Sequence, residues 1–165
     1  MKKITAVCPG SFDPVTSGHL DIIKRASAMF EKVIVVVMSN SSKTPTFTVS
    51  ERVDMLKKST DGLDNVEIDS YNGLLAEYAE KKNATAIVKG LRAMSDFEYE
   101  FQMALTNKKL NPSVETVFLT TRAENMYLSS SMVKQIGSMK GDITGFVPDV
   151  IHNFIINRLI GKDGK

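Results

Sequence analysis

Pro9-Gly10-Ser11-Phe12-Asp13-Pro14, followed by Thr16-Ser17-Gly18-His19, decides the fold. The stretch comes straight after an apolar segment, Ile4 with Ala6-Val7-Cys8. It comes straight before a pattern of Leu20, Ile23, Ala26, Met29 and Phe30 that fits one helix face. A strand that turns through glycine into a helix start lets backbone N–H groups approach a phosphate closely. The helix aims the positive end of its dipole at the same place. His19, in the first turn of that helix, is placed to hydrogen-bond a phosphoryl oxygen bound there. The stretch therefore predicts phosphate chemistry at the amino-terminal end of an α/β fold.

Working outward, residues 4–8 read as a strand and 18–30 as a helix. Val33–Met38 is an uninterrupted β-branched run ending in Met38, the mark of a strand covered on both faces. Ser39 to Thr46 is a polar loop that holds Lys43. Thr48-Val49-Ser50-Glu51 is a capping box, which predicts a helix to about Ser59. Val66–Ser70 and Ala86–Lys89 read as strands, with a helix over Leu74–Lys82 between them. Ser95–Lys109 reads as an amphipathic helix capped by Ser95, with Asp96 and Glu98 in its first turn. Thr116–Thr120 is a further strand. A helix capped by Ser129, Ser130 or Ser131 runs to about Met139, and a last helix follows Pro148. Strands alternating with helices predict a Rossmann-like, doubly wound, mainly parallel five-stranded sheet with helices on both faces. No composition break or repeat divides the chain, so one domain is expected over residues 1–160, with an unpacked tail at 161–165.

Of the 165 residues, 42% are hydrophobic, enough for a real core. Twenty-one basic residues against 19 acidic ones leave a net charge of +2, which argues against a nucleic-acid-wrapping surface. A single cysteine excludes an intramolecular disulfide framework. Val33–Met38 is far too short to span a membrane, and Met1-Lys2-Lys3 leads into a short strand rather than a signal-peptide apolar region. The expectation is a soluble protein of the cytoplasm, with no nucleic-acid or membrane partner.

In an open α/β sheet, ligands lie beyond the carboxyl ends of the strands, where the strand order reverses. Ser11 and His19 follow the first predicted strand, Lys43 the second, and Lys89, Gly90 and Arg92 stand at the end of the fourth. The serines at 129–131 follow the fifth across a loop. The fold would bring these residues to one rim although they are scattered in sequence. Phosphoryl or nucleotidyl transfer suits such a rim. It demands in-line placement and positive charge on phosphoryl oxygens more than covalent participation by the protein. Serines opening a helix add hydroxyls to free N–H groups, where a terminal phosphate or departing pyrophosphate can be held.

The turn Gly-Ser-Phe-Asp-Pro with Thr16-x-Gly18-His19 resembles the first signature of the nucleotidyltransferase superfamily, whose T/H-x-G-H motif binds ATP phosphates. Lys89-Gly90-Leu91-Arg92, Asp96-Phe97-Glu98-Tyr99-Glu100 and Leu128-Ser129-Ser130-Ser131 narrow the resemblance to the bacterial phosphopantetheine adenylyltransferases, over nearly the whole chain. The resemblance implies transfer of the adenylyl group of ATP to 4′-phosphopantetheine, giving dephospho-coenzyme A and pyrophosphate. It implies Mg²⁺ carried on the ATP phosphates, feedback occupancy of the site by coenzyme A, and a homohexamer.

Matched residue by residue, the resemblance makes His19, Lys43 and Lys89 the catalytic set. Ser11, Phe12, His19, Gly90, Leu91, Arg92 and Glu100 would bind ATP, with Asn125, Met126, Tyr127, Leu128, Ser129, Ser130 and Ser131. Ser11, Lys43, Leu75 and Lys89 would bind the acceptor. Two positions depart from the family pattern. Members commonly carry Arg where this chain has Lys89, and Lys keeps the charge but loses the bidentate fork. Many also place an aromatic residue near Asn125, where the nearest here is Tyr127.

Plainer readings stand beside several of these. Arg92 has Glu98 or Glu100 as potential ion-pair partners. The acidic residues at 96, 98 and 100 suit a solvated helix start. The serines at 129–131 are at least a helix cap. Cys8 reads as a small buried apolar residue, and His152 as structural or exposed.

Overall fold

Val33 to Val37 are buried at every position, because helices cover both faces of the strand they form. The protein is described from a computed structural model, which covers residues 4–39, 42 and 44–161. Lys43 and the tail residues 162–165 therefore lie outside the described residues. The chain runs β1 (Thr5–Gly10), α1 (Ser17–Met29), β2 (Lys32–Met38), α2 (Val49–Ser59) and β3 (Val66–Tyr71). It continues through α3 (Leu75–Lys81), β4 (Ala86–Leu91), α4 (Met94–Leu110) and β5 (Glu115–Thr120). A short 3₁₀ turn (Ala123–Asn125), α5 (Ser130–Ser138) and α6 (Asp149–Ile160) complete it. The five strands pair in parallel in the order β3-β2-β1-β4-β5, the expected doubly wound sheet.

Alternation along the strands sorts side chains into two cores. Ala6, Cys8, Val33, Val35, Val37 and Val88 face a layer with Ile23 and Ala26 of α1, Leu56 of α2, Val133 of α5, and Ile151 and Ile155 of α6. Val7, Ile34, Val36 and Ile87 face the other way, onto Tyr78 and Ala79 of α3. Each valine, leucine or isoleucine among them contributes about 1.5–3 kcal/mol when taken out of water. The two cores hold the central strands rigid beneath their carboxyl ends.

The order reverses between β1 and β4, and there the sheet parts. Pairing of β1 with β2 runs the whole strand, from Thr5↔Lys32 to Gly10↔Val37. Pairing of β1 with β4 covers only Ala6↔Ala86 and Val7↔Ile87. Beyond Val7 the strands splay, and Pro9 brings no N–H to the gap. This opening is the switch-point crevice.

Three local expectations are corrected. α4 starts at Met94 with Ala93 as N-cap and no side-chain cap, so Ser95 does not cap it. Instead the first turn closes on the Ala93 carbonyl, and Arg92 bridges to the Asp96 carboxylate at 3.3 Å. Asp96 is thus the ion-pair partner of Arg92, in place of Glu98 or Glu100. The apolar residues of α4 do not gather on one buried face either: Phe97, Phe101 and Leu105, four apart, form an exposed stripe.

Candidate active site

The crevice is a cavity of about 430 Å³ floored by Cys8, Pro9, Gly10 and Val88, the strand residues on either side of the split. That volume suits a small-molecule ligand. Ser11, Phe12, His19, Lys89, Gly90, Arg92, Glu100, Asn125, Leu128, Ser129 and Ser130 all line it, from six separate segments. Leu91, Met126, Tyr127 and Ser131 lie outside the lining; the Tyr127 ring packs edge-on against Phe146 at 5.7 Å. Leu75 lines a smaller adjoining cavity of about 90 Å³, which shares Lys89 and Glu100 with the first.

The turn after β1 is shaped by Phe12. Its backbone is left-handed, with φ of 48°, and its ring folds back over Gly10. A Cβ on Gly10 would stand 2.9 Å from the Phe12 Cζ, so any larger residue here would have to push the ring aside. The same ring meets His19 edge-on, with centroids 5.1 Å apart. Gly90 serves the far wall: a Cβ there would stand 3.0 Å from Ile22 Cγ1, so glycine lets α1 lie close to β4.

His19 is the third residue of α1 and completes its capping box. The Thr16 hydroxyl accepts the His19 N–H, and the Thr16 N–H donates to His19 Nδ1 at 3.0 Å. A ring nitrogen that accepts an N–H carries no proton of its own. Nε2 therefore holds the proton of the neutral ring and is the donor left for a ligand. Burial, aided by the positive charges of Arg92 and Lys89, lowers the imidazole pKa from its ordinary 6.5 to about 4. The ring is neutral at physiological pH and serves as a directed donor.

The cations have internal partners. Lys89 Nζ sits 3.3 Å from a Glu100 carboxylate oxygen, where the two cavities meet. Arg92 donates to the Leu128 carbonyl at 2.6 Å, which ties β4 to the loop before α5. Of the three candidate serines, Ser129 is the N-cap, accepting from the Met132 N–H at 3.0 Å. Ser130 lines the cavity and donates to the Pro14 carbonyl at 2.7 Å. The first turn of α5 thus presents its unbonded N–H groups beside the β1–α1 turn. Cys8 is buried, and its thiol is pushed up to about 12 by burial, against the opposing charge of Lys89. It stays protonated and is no nucleophile.

Sequence reasoning missed the frame of the site. Asp13, buried in the turn, accepts the N–H groups of Thr46 at 3.0 Å and Phe47 at 2.8 Å, and pairs with Lys134 at 2.9 Å. Burial pushes its carboxyl upward, but those donors together hold it below the usual range. Arg52, 4% exposed, donates to the Ser11 carbonyl at 2.8 Å. Thr16, Asp96 and Thr121 also line the cavity. The available signal for Asp13 was an acidic residue, flanked by Phe12 and Pro14, inside a turn predicted to bind phosphate, where a carboxylate needs donors of its own.

Residues 7–136 match the cytidylyltransferase-like family. Phosphopantetheine adenylyltransferase of Caldanaerobacter subterraneus subsp. tengcongensis is 59% identical over 146 residues, covering 88% of this chain and 91% of that one. The enzymes of the same name from Alkaliphilus metalliredigens and Clostridium novyi are each 54% identical. They cover 88% and 95% of this chain, and 92% and 97% of their own. Among solved structures, nicotinic acid mononucleotide adenylyltransferase of Plasmodium falciparum, complexed with NaAD, superposes with a TM-score of 0.68 at 15% identity. That match covers 99% of this chain and 97% of the other. At so low an identity the likeness is one of fold.

Proposed function

This chain belongs to the cytidylyltransferase-like family and, within it, to the phosphopantetheine adenylyltransferases, and from that premise we propose how its residues divide the work. The reaction moves the adenylyl group of ATP to 4′-phosphopantetheine, giving dephospho-coenzyme A and pyrophosphate, the penultimate step of coenzyme A synthesis. A phosphate oxygen of the acceptor bonds to the α-phosphorus. The bond from that phosphorus to the α–β bridging oxygen breaks, and pyrophosphate leaves with the bonding pair.

His19 donates through Nε2–H to the α-phosphoryl oxygens, where charge grows in the transition state. Lys89, at the junction of the two cavities, holds the acceptor phosphate together with Lys43. The acceptor arm then runs past Leu75 into the smaller cavity. Ser11 and the Phe12 backbone meet the reacting phosphates. Gly90, Arg92, Glu100, Asn125 and Leu128 border the nucleotide, and the N-terminus of α5 with Ser129 and Ser130 receives the departing pyrophosphate. The observation that carries this reading is the neutral His19, with its proton fixed on Nε2, in the wall of the switch-point cavity.

Mg²⁺ arrives on the ATP phosphates. Among the described residues no three His, Cys, Asp or Glu side chains are grouped to hold an ion, so no step is assigned to a protein-held metal. Coenzyme A shares the arm and the adenylate and competes for the same cavity. The exposed stripe Phe97, Phe101 and Leu105 on α4 is the face on which copies associate, into the homohexamer expected of the family. Among the described residues no helix is long and apolar enough to cross a membrane, and the setting proposed is the cytoplasm.

Incubation with ATP, Mg²⁺ and 4′-phosphopantetheine releases pyrophosphate and forms dephospho-coenzyme A. A panel with nicotinate mononucleotide as acceptor, and CTP as donor, gives far less product. Turnover of another acceptor, with none of 4′-phosphopantetheine, overturns the assignment.

A further inference from the structure

We propose that Asp13 and Lys134 form a positioning pair for adenylyl transfer, fixing the N-terminus of α5 against the β1–α1 turn. Neither residue lines the cavity. They stand behind it and hold its two anion-binding edges in register. The inference rests on the reaction given above but on geometry that the reaction's own residues do not supply.

The turn and α5 are joined twice. Ser130 Oγ donates to the Pro14 carbonyl at 2.7 Å, and Lys134 Nζ meets the Asp13 carboxylate at 2.9 Å. Ser130 and Lys134 are four residues apart and so lie on one face of α5. Two bonds a helical turn apart fix the helix in both translation and rotation. The Asp13 carboxylate also takes the N–H groups of Thr46 and Phe47. One buried group therefore gathers segments that follow β1, β2 and β5, each delivered by a different crossover. Everything that meets it is a donor. An amide there would turn its own NH₂ against one of them, so the position calls for a carboxylate rather than its isostere. Displacement of a phosphate-binding edge by about 1 Å is enough to cost about 100-fold in rate.

The test compares Asp13→Asn, Lys134→Met, Lys134→Arg and the Asp13→Asn/Lys134→Met double variant. It is run at a temperature where circular dichroism and thermal melts show each one folded. Lys134→Met is expected to lower kcat about 10- to 100-fold, with KM for ATP and 4′-phosphopantetheine changed by less than about threefold. Lys134→Arg keeps most of the activity, and the double variant is no worse than Asp13→Asn alone. Lys32→Met, which breaks an exposed pair with Glu67 at the opposite end of the strands, leaves kcat unchanged. A folded Lys134→Met with wild-type kcat, or single effects that multiply in the double variant, overturns the proposal. If the wild-type protein fails to turn over these substrates, the assigned reaction fails, and the pair is tested by hydrogen exchange instead. Faster exchange of the α5 first-turn amides in Lys134→Met supports it; unchanged exchange overturns it.

Discussion

His19 Nδ1 accepts the backbone N–H of Thr16 at 3.0 Å, the bond that a glutamate makes in the capping box of α2. One side chain thus caps a helix and faces a ligand cavity, and the cap determines which nitrogen carries the proton. In the free protein at neutral pH, ¹⁵N NMR of the imidazoles should show an unprotonated Nδ1 and a protonated Nε2 for His19. The chain has two histidines, so His152→Gln assigns the signals. A cationic ring at pH 7, or the opposite tautomer, would remove the donor from the proposed mechanism.

The same burial couples His19 to stability. Its pKa is about 4 folded, against an ordinary 6.5, so between those values the unfolded chain binds more protons. Stability from this group is fully present above about pH 6.5 and falls as the pH drops toward 4. Asp13 and Glu51, held below the carboxylate range, lose their contributions only at lower pH, as they protonate. Thermal melts of the free protein should therefore decline from pH 7 to pH 5, and His19→Gln should flatten that decline. An unchanged slope in the variant would show that the histidine titrates alike in both states.

His19→Gln also separates the two roles of this residue. Glutamine at the third helical position can reach back to the Thr16 N–H and keep the cap, but it lacks the imidazole donor. Stability near wild type at pH 7 is expected, with kcat reduced about 10²- to 10³-fold. His19→Ala should show a similar loss of turnover plus about 1 kcal/mol of stability. ATP binding should persist in both. If glutamine restores turnover, the ring matters only as a cap.

Where the sequence spoke clearly, it did so through local chemistry. The apolar run from Val33 announced a central strand, and Thr48 with Glu51 announced the start of α2 to the residue. The rim positions of His19, Lys89, Arg92, Ser129 and Ser130 followed from strand ends alone, whereas Ser131 falls outside the lining. What stayed hidden involves partners distant in sequence. Asp13 meets Lys134 across 121 residues, and nothing near either one signals the other. Ser95 looked like the cap of α4 because local propensity favours serine there. The Arg92–Asp96 bridge instead accompanies a cap two residues earlier, at Ala93. The choice among Ser129, Ser130 and Ser131 needed the Pro14 carbonyl, which engages Ser130 and leaves Ser129 as the cap.

The stripe on α4 carries a prediction about assembly. Phe97 and Phe101 stack at 5.5 Å while remaining 39% and 47% exposed, and Leu105 is 57% exposed. A contiguous apolar patch of this kind marks an interaction surface. Phe101→Glu places a charge at its centre without touching the cavity lining. Sedimentation should show the wild-type chain at six times its own mass and the variant as smaller species. Wild-type protein that sediments as a monomer would refute the association.

Lys89 offers a test of how the two substrates divide the site. Its ammonium lies where the larger cavity meets the smaller one, held 3.3 Å from Glu100. If it grips the acceptor phosphate, Lys89→Met should raise KM for 4′-phosphopantetheine by about 10-fold or more, the worth of a charge-assisted hydrogen bond. KM for ATP should move much less. Lys89→Arg keeps the charge and adds a second parallel donor suited to a phosphate, so it should retain turnover with an equal or lower acceptor KM. Glu100→Gln weakens the hold on the ammonium while leaving its charge, and should alter acceptor KM less than Lys89→Met does. Steady-state kinetics with each substrate varied in turn decides the matter. A Lys89→Met variant that loses ATP affinity while its acceptor KM stays put would move this lysine to the nucleotide side of the reaction.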